Sequence, residues 1–279
     1  MEPAHGPAGS ADAEPAPAAA SPGGAVPTSA VALTDVTARR GGRTIWAEGT
    51  FEIAPGSIVG VIGPNGSGKS TLLALLLGLL EPASGTVEVL GRSPRRGDPR
   101  IGYVPQDDDA RTAEAIRCRD LVGLGLAGTR FGWGRRDASA RSAVDDALAA
   151  VGATDYADRR LSQVSGGQRQ RVAIAQAVVG RPELLLLDEP LAGLDVRNQH
   201  ELATLLGEIS AEQALTTMVV THDINPLLGV LTGAVYLLDG HPHYAPIGDV
   251  VDETLLSHLY GTSVKVVRTP QGDLFTRSG

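Results

Sequence analysis

The nine residues Gly63-Pro64-Asn65-Gly66-Ser67-Gly68-Lys69-Ser70-Thr71 fit the spacing G-x-x-x-x-G-K-[ST], and their types suit one task, holding a chain of phosphates. Glycines let the backbone close into a concavity of N–H groups with no Cβ in the way of an anion. The lysine adds a point charge, and the hydroxyl beside it can ligate a magnesium ion. Lysine is otherwise nearly absent, since Arg supplies all but Lys69 and Lys265 of the 24 basic residues, so Lys69 is a chemical choice rather than background. Ser57 to Ile62 before the loop reads as a buried strand, and Thr71 to Leu77 after it as a buried helix whose positive end faces the phosphates. That strand–loop–helix context points to a nucleoside triphosphate binder.

Two further stretches carry chemistry. In Leu184-Leu185-Leu186-Leu187-Asp188-Glu189-Pro190, four apolar residues running into an acid place Asp188 at the carboxyl end of a buried strand, beside the phosphate loop. A carboxylate there can hold Mg²⁺ with the Ser70 hydroxyl, and Glu189 is placed to polarise an attacking water. The plainer alternative is an acid pair capping a turn before Pro190. In Val164-Ser165-Gly166-Gly167-Gln168-Arg169-Gln170-Arg171, Ser-Gly-Gly opening a helix is a second anion cradle; the plainer alternative is a simple serine N-cap. One active site does not need two cradles. Two become economical if the chain dimerises head to tail, each cradle serving the partner's nucleotide.

Composition bounds the rest. The chain has 279 residues, 42% hydrophobic and 20% charged, an ordinary globular mix for one large domain or a domain plus a small lobe. Its net charge of −8 argues against nucleic acid as a partner. For the same reason Arg135-Arg136 with Trp133 reads as a solvated edge. A single cysteine, Cys118, excludes an intramolecular disulfide framework and fits a reducing compartment. No segment reaches the roughly 18–20 apolar residues of a membrane span. Residues 1–28, rich in Ala, Pro and Gly, lack the basic and apolar regions of a secretion signal and read as a disordered leader. His241, His243 and His258 tempt a metal-site reading; without a neighbouring ligand cluster they read as solvated turn residues.

The elements that must position these residues follow from apolar runs and breakers. Strand character appears at Val31 to Val36, Gly49 to Ile53, Thr86 to Leu90, Arg100 to Val104, Leu184 to Leu187, Thr217 to Val220 and Ala234 to Leu238. From Asp107 to about Ser162 the texture is helical, with segments at Ala113 to Leu126 and Asp137 to Val151 joined by a Gly- and Arg-rich link near Phe131 and Trp133. Helices are also expected from Gly166 to Val179 and Val196 to Ile209. Alternating strands and helices imply a mainly parallel α/β sheet.

The phosphate loop, Gln106 after a strand, Ser165-Gly166-Gly167-Gln168, Asp188-Glu189-Pro190, Leu191-Ala192-Gly193-Leu194-Asp195 and Thr221-His222-Asp223 stand in an order that resembles the ATP-binding cassette (ABC) ATPases. The resemblance covers about Ser29 to Gly261. It implies an α/β phosphate-loop core with an antiparallel β subdomain, a cassette over 29–265 with a helical subdomain inserted at 107–165, and a tail over 266–279. It implies ATP and Mg²⁺ as cofactors: Asn65 to Thr71 around the β- and γ-phosphates with Lys69 as the cation, and Ser70, Gln106 and Asp188 around the metal. Glu189 would be the catalytic base, His222 would touch the γ-phosphate, and Ser165 to Gln168 would close over ATP held by the other copy of a homodimer. Asp195 would sit at the subunit boundary, and Gln106 at the hinge of the helical lobe.

Two departures stand out. Val164 replaces the usual leucine of the signature, and the place of the aromatic residue that commonly stacks on adenine holds Arg40, after Arg39. A guanidinium plane can stack on a purine, so Arg40 is the expected platform. Trp46, the nearest aromatic, falls at a core position. With one cassette and no membrane domain, the resemblance further implies an ATPase subunit that energises integral membrane permease subunits, cytoplasmic and peripheral on the inner face of the membrane. Thr221 to Leu228 and Leu255 to Val267 resemble importers of manganese, zinc or iron that work with a substrate-binding protein. An iron–siderophore importer and a soluble dimerisation switch are the alternatives.

Overall fold

A computed structural model describes residues 28–106, 115–127, 138–268 and 274–278. Most of the leader and the link around Phe131, Trp133, Arg135 and Arg136 lie outside the described residues. Strand β1 (Val31–Arg40) turns through Gly41-Gly42 into β2 (Arg43–Ile53); β3 (Ile58–Ile62) then delivers the phosphate loop and α1 (Lys69–Leu76) leaves it. β4 (Ser84–Val89) returns to β1, giving an antiparallel sheet ordered β2-β1-β4. After β5 (Ile101–Val104) come the lobe helices α2 (Cys118–Ala127) and α3 (Ala138–Ala150), then α4 (Gly166–Val178), β6 (Leu184–Asp188), α5 (Val196–Gln213) and β7 (Thr216–Val220). The hairpin β8 (Gly233–Leu238) and β9 (His241–Pro246) follows, then α6 (Ile247–Val250), α7 (Glu253–Tyr260) and a second hairpin, β10 (Val264–Arg268) with β11 (Leu274–Ser278). Residues counted with the tail in the sequence thus include β11.

The main sheet runs β5-β6-β7-β3-β8-β9, parallel except for β9. Its central strands β3, β6 and β7 are buried along their whole length because both faces are covered. The faces still alternate. Ile58 and Ile62 of β3 and Leu185 and Leu187 of β6 join the core under α4 and α5, whereas Val59, Val61, Leu184 and Leu186 join the core under α1 and the antiparallel sheet. Each such side chain contributes about 1.5–3 kcal/mol by leaving water, so the two-sided sheet dominates the fold's stability.

The helical lobe sits close on α4. A Cβ at Gly125 of α2 would lie 2.2 Å from the Gln176 carbonyl oxygen, so only glycine lets these two backbones meet. Cys118 at the start of α2 is fully buried, and burial pushes its thiol pKa up, which makes it a packing residue.

Two elements depart from the sequence reading. β2 begins at Arg43 rather than Gly49, carried past Glu48 (φ +56), whose left-handed backbone breaks the simple alternation. His241 and His243 are not solvated turn residues but lie in β9, antiparallel to β8. The turn itself is Asp239-Gly240. His241 Nδ1 is 3.1 Å from the Ala47 carbonyl and the His243 ring stacks on Tyr236 with centroids 5.2 Å apart. His258 stands instead on α7, with its Nε2 3.5 Å from Asp239. Among the described residues no group of His, Cys, Asp and Glu is arranged to hold a metal ion.

Candidate nucleotide site

Lys69 opens α1 with only 6% of its surface exposed. Its Nζ donates to the carbonyls of Gly63 (2.8 Å) and Pro64 (3.1 Å), so the loop wraps its own lysine. Burial lowers the lysine's pKa, and the nearby charges of Glu189 and Asp188 work the other way. Gly68 has φ +101, and a Cβ there would lie 2.5 Å from Ile45 and 2.7 Å from Trp46. β2 is therefore the floor of the loop, a relationship the local sequence does not show. Gly66, at φ +79, has open space where a side chain would be, which keeps the mouth of the loop clear. Ser67 Oγ is buried without a hydrogen-bond partner, while Pro64, Asn65 and Ser70 are exposed and Thr71 is buried.

Asp188 does not come from the strand next to the loop. β7 lies between β3 and β6, with Asp188 level with Val220, and Thr221 N donating to Val61 O at 3.2 Å. The loop, the acid pair and the His222 turn thus leave the carboxyl ends of three adjacent parallel strands, where ligand sites of open α/β sheets form. Asp188 is 6% exposed and lies beside the Ser70 side chain. Burial, then the charge of Glu189, raise its pKa, while Lys69, Ser70 and His222 oppose them. Its Oδ1 is buried with no hydrogen-bond partner. An orphaned carboxylate oxygen beside a hydroxyl is the hard-oxygen donor set that Mg²⁺ takes, so these residues fit the ion.

Glu189 sits at φ +52, a left-handed backbone that costs a non-glycine residue about 1–3 kcal/mol and is met at active sites. Its side chain is 13% exposed, with Oε1 2.5 Å from His222 Nε2. Oε2 accepts from Gln106 Nε2 at 2.8 Å. Gln106, Glu189 and His222, far apart in sequence, are brought together in one cluster. The hollow lined by Glu189, His222, Thr221 and Pro226 measures about 150 Å³, below the roughly 300 Å³ of an enclosed small-molecule site. Hollows of about 530 and 600 Å³ open beside Arg181 and between the helical lobe and β5, and no motif residue lines either.

Ser165 N-caps α4 in a reciprocal box: Gln168 N donates to Ser165 Oγ (3.3 Å) and Ser165 N to Gln168 Oε1 (2.9 Å). Gly166 faces open space, and a Cβ at Gly167 would lie 3.2 Å from Asn198 Oδ1. Asn198 is in turn fixed by Asp195, the N-cap of α5 (N to Oδ1 2.9 Å, Nδ2 to Oδ2 2.7 Å). This cradle is bonded within itself and approaches the α5 cap at Gly167, and no hydrogen bond among the described residues joins it to the Lys69–Glu189 cluster. Arg40 is exposed at the end of β1, paired with Arg43 of β2 across the Gly41-Gly42 turn. Trp46 is 1% exposed and packed under Gly68, so it is not available to stack on a base. The Thr221 hydroxyl, which donates to Asp223 O at 2.7 Å and so shapes the His222 turn, is an addition from the structure.

The model of the ABC transporter family matches residues 47–192. The zinc uptake system ATP-binding protein ZurA of Listeria monocytogenes is 40% identical over 177 residues, 62% of this chain and 69% of that protein. The manganese transport system ATP-binding protein MntB of Bacillus subtilis is 37% identical over 195 residues, 70% of this chain and 77% of that one. An aliphatic sulfonates import ATP-binding protein, SsuB 1 of Burkholderia lata, is 42% identical over 203 residues, 73% of this chain and 59% of that one. Among solved structures, cbiO1 of Clostridium perfringens, part of the ABC transporter complex cbiONQ, superposes with a TM-score of 0.73 at 26% identity over 82% of this chain and 93% of that one. With the loop, the acid pair and the Ser-Gly-Gly-Gln cap in place on that fold, the chain belongs to the ABC transporter family, as its ATP-binding, ATP-hydrolysing subunit.

Proposed function

We propose that two copies of this chain bind two ATP molecules, each between the Lys69 loop of one copy and the Ser165–Gln168 cap of the other. The observation that supports the chemistry is the Glu189 carboxylate, held by His222 at 2.5 Å and Gln106 at 2.8 Å beside buried Asp188. The backbone from Gly63 to Thr71 binds the phosphates, with Lys69 neutralising them and Arg40 stacking on adenine. Ser70, Asp188 and Gln106 would hold Mg²⁺, which when bound neutralises charge that develops on the phosphoryl oxygens. Glu189 accepts the proton of the attacking water, and His222 orients the γ-phosphate. The small size of the hollow at Glu189 favours a site completed by a second chain.

The cargo we infer is a transition-metal ion, zinc or manganese, moved inward through integral membrane permease subunits and delivered by a substrate-binding protein. This rests on the likeness to ZurA and MntB. No helix among the described residues is long and apolar enough to cross a membrane, which suits a subunit docked on the inner face of the cell membrane. The likeness to SsuB 1 makes an organic sulfonate the second reading. Uptake of ⁶⁵Zn, ⁵⁴Mn and a labelled alkanesulfonate by cells carrying wild type or Lys69→Ala decides between them. Loss of metal uptake alone is expected; loss of sulfonate uptake alone would contradict the metal reading.

A further inference from the structure

The C-terminal hairpin reaches the catalytic turn through one side chain. Asn225 opens the 3-10 turn Asn225–Leu227, just beyond His222. Its Nδ2 donates to the Thr276 carbonyl at 3.0 Å, and its Oδ1 accepts from the Thr276 backbone N–H at 2.6 Å and from the Thr276 hydroxyl at 2.9 Å. A primary amide that takes both the N–H and the C=O of one residue does what a neighbouring strand would do. β11 needs such a partner, because among the described strands β10 and β11 pair with each other alone and belong to neither larger sheet. An isolated two-stranded hairpin is marginal in water.

The inner side of the hairpin is also tied down. Val264 N donates to Ser257 Oγ at 2.8 Å and Val266 N to Glu253 Oε1 at 2.9 Å, so α7 holds β10 while Asn225 holds β11. From Asn225 the bonds run on toward the site. Asn225 N donates to Asp223 Oδ1 at 2.9 Å, and the Thr221 hydroxyl donates to Asp223 O at 2.7 Å, which brackets His222 on both sides. His222 then meets Glu189 at 2.5 Å. Among the described residues none of these hydrogen bonds reaches Lys69 or the phosphate loop, and only the charge of Glu189 acts on Lys69. We propose that Asn225 is a positioning residue that latches the C-terminal hairpin to the His222 turn, so that seating of β11 sets the rate of ATP hydrolysis without setting ATP affinity.

The proposal rests on the reading of Glu189 and His222 as hydrolytic residues, and the controls separate the two. In the full chain, Asn225→Ala and Thr276→Pro, which removes the backbone N–H donor, should each lower kcat about 5-fold and leave the ATP Kd within about 2-fold. The double variant should be no worse than either single one, because both open one latch. Thr276→Val, which keeps both backbone bonds, should restore near wild-type kcat. Wild-type kcat in Asn225→Ala, or a fall in kcat matched by an equal loss of ATP affinity, would overturn the latch. If in the same series Glu189→Gln hydrolyses ATP at the wild-type rate, the reading of the site has failed and the latch falls with it. If Glu189→Gln is inactive while Asn225→Ala is normal, the latch alone is wrong.

Discussion

His222 Nε2 lies 2.5 Å from Glu189 Oε1, and this contact joins two turns that leave neighbouring parallel strands. With Gln106 on the other oxygen, each carboxylate oxygen of Glu189 has one partner and keeps a further lone pair with which to accept from a water. Gln106 follows β5 and stands before the helical lobe, so this bond ties the carboxylate to the point where the chain leaves the sheet.

Arg40 is the proposed adenine platform because it is exposed at the hairpin tip, whereas Trp46 is buried beneath the loop. Stacking of a guanidinium on a base contributes about 1 kcal/mol, so Arg40→Ala should weaken ATP about 5-fold. Inorganic triphosphate, which has no base, should bind both proteins equally. Equal ATP affinity in the two would assign the platform elsewhere.

Asp98 tests the fold rather than the site. The Arg100 side chain, hydrogen-bonded to it at 2.6 Å, is the main cause that lowers its pKa from 3.8 to about 2. A depressed carboxylate pKa stabilises the fold fully above the unfolded value and loses that contribution as pH falls toward the folded one. Here the contribution is on the order of 2 kcal/mol, present above about pH 4 and gone near pH 2. Asp98→Asn should therefore lower Tm by about 4–8 °C at pH 7, a gap that closes in acid. A gap that stays constant between pH 7 and pH 3 would contradict this.

The shared site makes a prediction about mixtures. Lys69→Ala and Ser165→Arg should each be inactive alone. When mixed, a heterodimer holds one intact loop facing one intact cap, so ATPase activity should return. Mixtures as inactive as their components would contradict the head-to-tail arrangement.

Much of this was readable along the chain because the signals are local. Continuous apolar runs marked β3, β6, β7 and β8, and the chemistry-bearing residues sit directly at strand ends, where the next few positions name them. What the chain hid is non-local or disguised. β9 carries Pro242, which an edge strand tolerates because the missing N–H can fall on its unpaired side, and its histidines look like turn residues. That β7 separates the loop from the acid pair is a matter of strand order, which no local pattern carries. The floor under Gly68 comes from β2, and the Asn225 latch depends on Thr276, both set only by tertiary packing.

The most direct test of the account is Glu189→Gln, which nearly keeps the side chain's shape but removes the base. ATP binding should stay within about 3-fold of wild type, while hydrolysis should fall by about 100-fold or more and leave an ATP-bound dimer. Hydrolysis at close to the wild-type rate would contradict the assignment of Glu189 and the mechanism built on it.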